Sequence, residues 1–272
     1  MPRLSGSTRR FRPGAMVLFV FLLAQGAPGD ARAGAWTQRK GEGVVIISLG
    51  RQGSPVSMLT LAAEEEEKAS AQGYVEYGIS DRLTIGGAIF SDIAPSSGEG
   101  SANVSGFVRR RVWQGESSVA SVQFGGSYPI ESLIGTEFGE SRPDSTPELR
   151  LSVLGGTSWW GDWGSVFTSG TIGYAWRSEG AADEIRSELT TGYAPWRCCL
   201  AIISLYGVAP LDGEDNSFII APSVAYHFYG STPANGLKEE DRPKPYTLQA
   251  GFSYDFLDDE GFGVTVSLWK KF

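Results

Sequence analysis

Three arginines, Arg150, Arg177 and Arg186, fall at polar positions of three successive stretches in which apolar and polar residues alternate. A guanidinium is a planar fork suited to carboxylate or phosphate, so three of them at one level would favour anionic solutes. The competing chemistry is internal. Arginines that point into a protein pair with acids, and Glu188 and Glu76 share the inward phase with them, together with Arg109, Arg111 and Gln123. On residue types alone both uses of the arginines, selecting a solute or filling an interior, stay open.

Other reactive side chains are sparse. The one histidine, His227, is followed by Phe228 and Tyr229, so a base two residues from a serine nucleophile on the same strand is missing. Cys198 and Cys199 are adjacent, and neighbouring Cα atoms lie about 3.8 Å apart, shorter than a disulfide usually spans. Their spacing matches no common zinc pattern, and no phosphate loop or dinucleotide fingerprint occurs, so neither a metal nor another cofactor is expected, nor is an enzyme. Glu64, Glu65, Glu66 and Glu67 form an acidic run that reads as a solvated charge cluster or as a divalent-cation bridge to lipopolysaccharide phosphates. Asn103-Val-Ser105 matches a glycosylation triplet, a pattern too short to carry weight.

The elements that position these residues are strands. Alternation and turn chemistry predict twelve, near 43–52, 70–80, 82–91, 102–113, 117–128, 148–159, 165–177, 185–194, 199–209, 217–229, 246–256 and 262–272. Each has the 9 to 12 residues, roughly, that a tilted strand needs to cross a bilayer. In 246–256 the period sends Tyr246, Leu248, Ala250, Phe252, Tyr254 and Phe256 to one face and Thr247, Gln249, Gly251, Ser253 and Asp255 to the other. In 217–229 it sends Phe218, Ile220, Val224, Tyr226 and Phe228 outward and Ser223 and His227 inward, whereas 199–209 is apolar on both faces and gives no assignment. Short connections (Ser80-Asp81, 114–116, 161–164, 194–197) alternate with long ones (53–69, 92–101, 129–147). The segment 230–245 breaks that rule as a long connection on the short-turn side. Trp113, Trp159, Trp160, Trp163, Trp196 and Trp269 all fall at that same level, as indoles do at a membrane interface.

The chain ends on alternating residues, with Phe262, Val264, Val266 and Leu268 on one face, and then stops at Phe272. This segment resembles the closing strand of bacterial outer-membrane β-barrels, with Lys270 where that class usually has an apolar residue. Tyr77-Gly-Ile-Ser-Asp-Arg-Leu-Thr-Ile-Gly-Gly87 resembles a periplasmic hairpin of the same class. The resemblance implies an all-β, closed antiparallel up-and-down transmembrane barrel of about twelve strands. It also implies Phe272 as part of the signal read by the barrel-insertion machinery, and outer-membrane lipid and lipopolysaccharide as surroundings.

At the other end, Arg9, Arg10 and Arg12 precede an apolar run over 15–24, and Ala31-Arg-Ala33 offers a cleavage site, so residues 1–33 read as a secretory signal peptide and 34–272 as the barrel domain. The leader holds five of the 23 basic and one of the 31 acidic residues, leaving 18 against 30 and a charge of −12, which argues against a nucleic-acid partner. The expected function is passage of a small solute across the outer membrane of a Gram-negative cell. The alternative is a plugged structural or surface-interaction barrel.

Overall fold

The computed structural model describes residues 35–53, 68–93, 100–130, 146–178, 180–196, 198–212, 216–228, 246–257 and 261–272. All twelve regular elements are strands: β1 Gly43–Gly53, β2 Lys68–Ser80, β3 Leu83–Ile93, β4 Gly100–Gln114, β5 Ser118–Pro129, β6 Glu148–Gly161, β7 Gly164–Arg177, β8 Glu184–Trp196, β9 Cys199–Pro210, β10 Ser217–Phe228, β11 Tyr246–Asp255 and β12 Phe262–Lys271. Each pairs antiparallel with the next, and β12 returns to β1, so the sheet closes on itself. The twelve-stranded barrel read from alternation is therefore the observed fold, with every boundary within two residues of that expected. Closure leaves no unpaired edge, which is what a lipid surrounding requires.

Side chains follow the period of two. Ile47, Leu49, Val153, Ile172, Ile203, Val224 and Val266 are more than half exposed on the outer face, while the residues between them turn inward. An apolar exterior of this extent would be an aggregation surface in water and is the normal exterior of a strand-built membrane protein. Short turns join β2 to β3, β4 to β5, β6 to β7 and β8 to β9 at the rim that carries Gly43 and Phe272, here the near rim, where the long segment 229–245 also joins β10 to β11 as the expected exception, while 54–67, 94–99 and 130–147 join strands at the far rim. Trp113, Trp160, Trp163 and Trp196 are exposed at the near rim and Trp176 at the far rim. Trp269 also lies at near-rim level but opposes Ile46 and Thr247 in register, both on the inward face. Three register shifts, at Gly78/Ser80, Arg111/Trp113 and Tyr193/Trp196, all fall beside near-rim turns, where bulges bend strands.

At the seam, the Gly43 and Phe272 backbones exchange both hydrogen bonds, each 3.0 Å, and the Phe272 ring stacks on Tyr77 at 6.5 Å. Gly43 has no side chain because the Phe272 ring occupies that place. Lys270 places its Nζ over the face of Tyr246, 3.9 Å from the ring centroid, a cation–π contact that accommodates a lysine on an outer face. In β9 the register resolves the ambiguous strand: Ile202, Ser204, Tyr206 and Val208 oppose inward residues of β8 and β10.

Candidate functional site: the barrel lumen

The near-rim half of the lumen is occupied by the chain itself. Residues 35–40, just ahead of β1, run inside the barrel along β2 to β6. Ser121 donates to the Ala35 carbonyl at 2.6 Å and Arg109 to the Trp36 carbonyl at 3.3 Å. The Gln38 side chain donates to Glu76 at 2.8 Å, and its backbone N–H donates to the Thr84 hydroxyl at 2.8 Å. Ala35 is 1% exposed and packs with Val119 and Leu154, the Trp36 ring lying alongside. Gly156 leaves the space that ring fills. This strap was not visible in the alternation pattern, because a segment bound through its backbone needs no period.

The hairpin that resembles outer-membrane turns anchors the strap. Thr37 donates to the Asp81 carbonyl at 2.9 Å, and the Asp81 carboxylate accepts from the Lys40 N–H at 3.0 Å. Gly78 exchanges backbone hydrogen bonds with Gly41 and Glu42, both 2.9 Å. A side chain at Gly78 would run into the Gln38 and Arg39 carbonyls, so this glycine is a close-approach position.

Beneath the strap lies a buried ion pair, Glu76 to Arg109 at 3.0 Å, with each side chain 7% exposed. Tyr74 donates to Glu76, Arg109 donates to Gln123 at 2.9 Å, and the guanidinium sits 5.0 Å from the Phe107 ring centroid. A pair removed from water is tolerable when its remaining valences are met, and here the strap's own carbonyl and amide supply two of them.

At the far rim the structure brings Arg150, Arg177 and Arg186 together on β6, β7 and β8. Their acids are Glu148 and Glu184. Arg186 reaches Glu148 at 2.8 Å and Glu184 at 2.7 Å, Arg150 bonds Glu148, and Arg177 bonds Glu184. Of the acids expected as partners, Glu76 serves Arg109, and Glu188, one inward position deeper than Arg186, accepts from Thr190 at 3.1 Å. Glu148 and Glu184 were missed because they open their strands, at the edges of the expected segments. Counting Glu188, the strands of this wall set three arginines against three glutamates.

Asp183 caps the same rim, accepting from the Tyr174 hydroxyl at 2.6 Å and the Arg177 N–H at 3.0 Å. Those two donors hold its carboxyl below the usual carboxylate range. A depressed value means that the clasp contributes fully above the ordinary carboxylate pKa and is lost as pH falls through the lower, folded value. Protease cleavage between 178 and 184 is expected to rise only on acidification below the ordinary range, and Asp183→Asn should weaken that response.

The opposite wall differs in kind. Along β9 to β12 a cavity of about 160 Å³ is lined by Ser204, Tyr206, Ser223, Gln249, Thr265 and Ser267 among others, with no charged residue in its lining. Gln249 donates to Ser223 at 2.7 Å and Ser267 to Ser48 at 2.8 Å. His227, nearer the near rim, bonds the Thr247 hydroxyl at 2.7 Å. Cys198 and Cys199 are free thiols with sulfurs 3.2 Å apart. Among the described residues no cluster of three or more metal-ligating side chains occurs, and residues 64–67 and 1–33 lie outside them.

No protein-family model matches the sequence, and no curated protein matches it either. Solved structures do match in shape. A KdgM porin aligns with a TM-score of 0.53 at 6% identity over 84% of this chain and 99% of its own, and a second structure of it contains disordered oligogalacturonate. The COG4313 outer membrane channel from Pseudomonas putida F1 aligns with a TM-score of 0.51 at 10% identity over 90% of this chain and all of its own. At these identities the shared property is the fold, a complete outer-membrane type of barrel.

Proposed function

We propose that the chain is an outer-membrane pore for small polar solutes, exported with cleavage of residues 1–33 and inserted with its near rim in the periplasm. The observation that carries this reading is a closed barrel, apolar outside, whose lumen keeps an uncharged cavity lined by hydroxyls and an amide. Such groups exchange hydrogen bonds with a polyhydroxylated solute much as water does and offer an ion no counter-charge. The arginines Arg150, Arg177 and Arg186 then act through Glu148 and Glu184, holding the outer mouth in shape, and Glu188 completes the charge balance. A barrel of similar fold forms a complex with disordered oligogalacturonate, a chain that bears hydroxyls but also carboxylates. The surrounding lipid and lipopolysaccharide belong to this reading, as does recognition of Phe272 by the insertion machinery. No enzymatic role is part of it.

A second reading, a plugged structural barrel, has one observation in its favour: the strap inside the near-rim half. The mature chain, refolded in detergent, is expected to migrate faster on a gel unheated than boiled and to give discrete conductance steps in a planar bilayer. Heat-modifiable migration with no conductance from any form of the protein would favour the second reading, and a chain soluble without detergent would sink both.

A further inference from the structure

We propose that residues 35–40 are an internal plug, latched by the β2–β3 turn, whose withdrawal toward the periplasmic side widens the pore. The inference goes beyond the pore reading but rests on it for its electrical readout.

Two features mark the strap as a ligand of the lumen rather than part of its wall. First, it belongs to no strand, and the twelve-stranded ring closes without it through β1 and β12. Second, the lumen presents a prepared surface for it: Gly78 and Gly156 are cut back where the strap passes, and a hydroxyl, a carbonyl or a charged group meets each successive residue from 35 to 38. The contacts are of a kind that can be released. Two come from the Asp81 turn at the rim, and the buried apolar part is confined to Ala35 and Trp36 against Val119 and Leu154. Gly41, with φ of 80°, lies between the strap and β1 and provides the bend at which the segment turns back into the barrel.

The geometry also states what blocks and what stays open. The strap lies along β2 to β6, whereas the hydroxyl-lined cavity lies along β9 to β12. In the latched state the strap covers Glu76 and Arg109, each 7% exposed; in the released state both would face water. Release therefore changes both the width of the pore and the charge it presents.

The test uses the full mature chain, the same chain lacking residues 35–40, and a triple variant, Trp36→Ala with Thr37→Ala and Gln38→Ala, in case the deletion fails to assemble. Each is refolded, checked for heat-modifiable migration and measured in planar bilayers. Loss or loosening of the strap is expected to raise single-channel conductance by about twofold or more, because the strap narrows the lumen. In parallel, Trp36→Cys in a Cys198→Ser, Cys199→Ser background is exposed to a bulky membrane-impermeant maleimide. Slow labelling that Gly78→Val accelerates at least about tenfold, by opening the protected state, supports the latch.

Equal conductance of all forms, with Trp36→Cys labelled as fast as an exposed thiol, overturns the plug and leaves the pore reading standing. No conductance from any form, even with the strap deleted and Gly78→Val labelling fast, shows that the segment moves without opening a pore. That result overturns both proposals.

Discussion

Replacing Arg109 with methionine is expected to destabilise the barrel by about 3–5 kcal/mol, because it leaves Glu76 as an unpaired charge in a site almost closed to water. Glu76 is bonded by Tyr74 and Gln38, but neither donor carries charge. The variant is measured by denaturant unfolding from detergent or vesicles, followed by loss of heat-modifiable migration. Glu76→Leu added to Arg109→Met should restore at least half of the loss, since two apolar groups replace the pair without stranding either charge. If the single and double variants are equally unstable, the damage is to packing with Phe107 and the strap, not to charge pairing.

A register test gives an effect of similar size. Ile172 is 51% exposed on the outer face near the middle of β7, and its neighbour Thr171 faces inward opposite Glu188. Ile172→Arg is expected to cost about 2–4 kcal/mol, the cost of a guanidinium near the bilayer midplane. Thr171→Arg places the same group one residue away, beside a carboxylate, and should cost far less. Because a one-residue slip exchanges the two faces of a strand, equal costs would refute the assignment of this strand's faces.

Much of this architecture is legible from the chain. The outer wall reads directly from period-two alternation, because lipid on one side and a polar lumen on the other impose opposite demands on successive residues. β9 was the exception, since Ile202 and Val208 put apolar groups on the inward face too; its assignment needed the pairing with β8 and β10. The arginine group was legible as three inward positions, yet its partners were not. Glu148 and Glu184 become neighbours of Arg186 only through the cross-strand register, a quantity that no single strand encodes. Trp269 was grouped with the interface tryptophans by level, and level says nothing about which face a side chain takes. The strap was the least legible element. Its traces were Gly78 and Gly156, and a glycine inside a strand does not announce what will lie against it.

The seam between β1 and β12 sets the order of events in making this protein. Ser48 and Ser267 touch across 219 residues of sequence, and ten residue pairs join the two strands. Nothing emerging from the ribosome early can satisfy the free side of β1, because its partner β12 is made more than 200 residues later. Closure must wait until β12 has been made, and until then the free side of β1 is an edge open to wrong pairing. Phe272 is then less an end than a clock: its arrival beside Gly43 is the event that turns twelve strands with two loose margins into a ring.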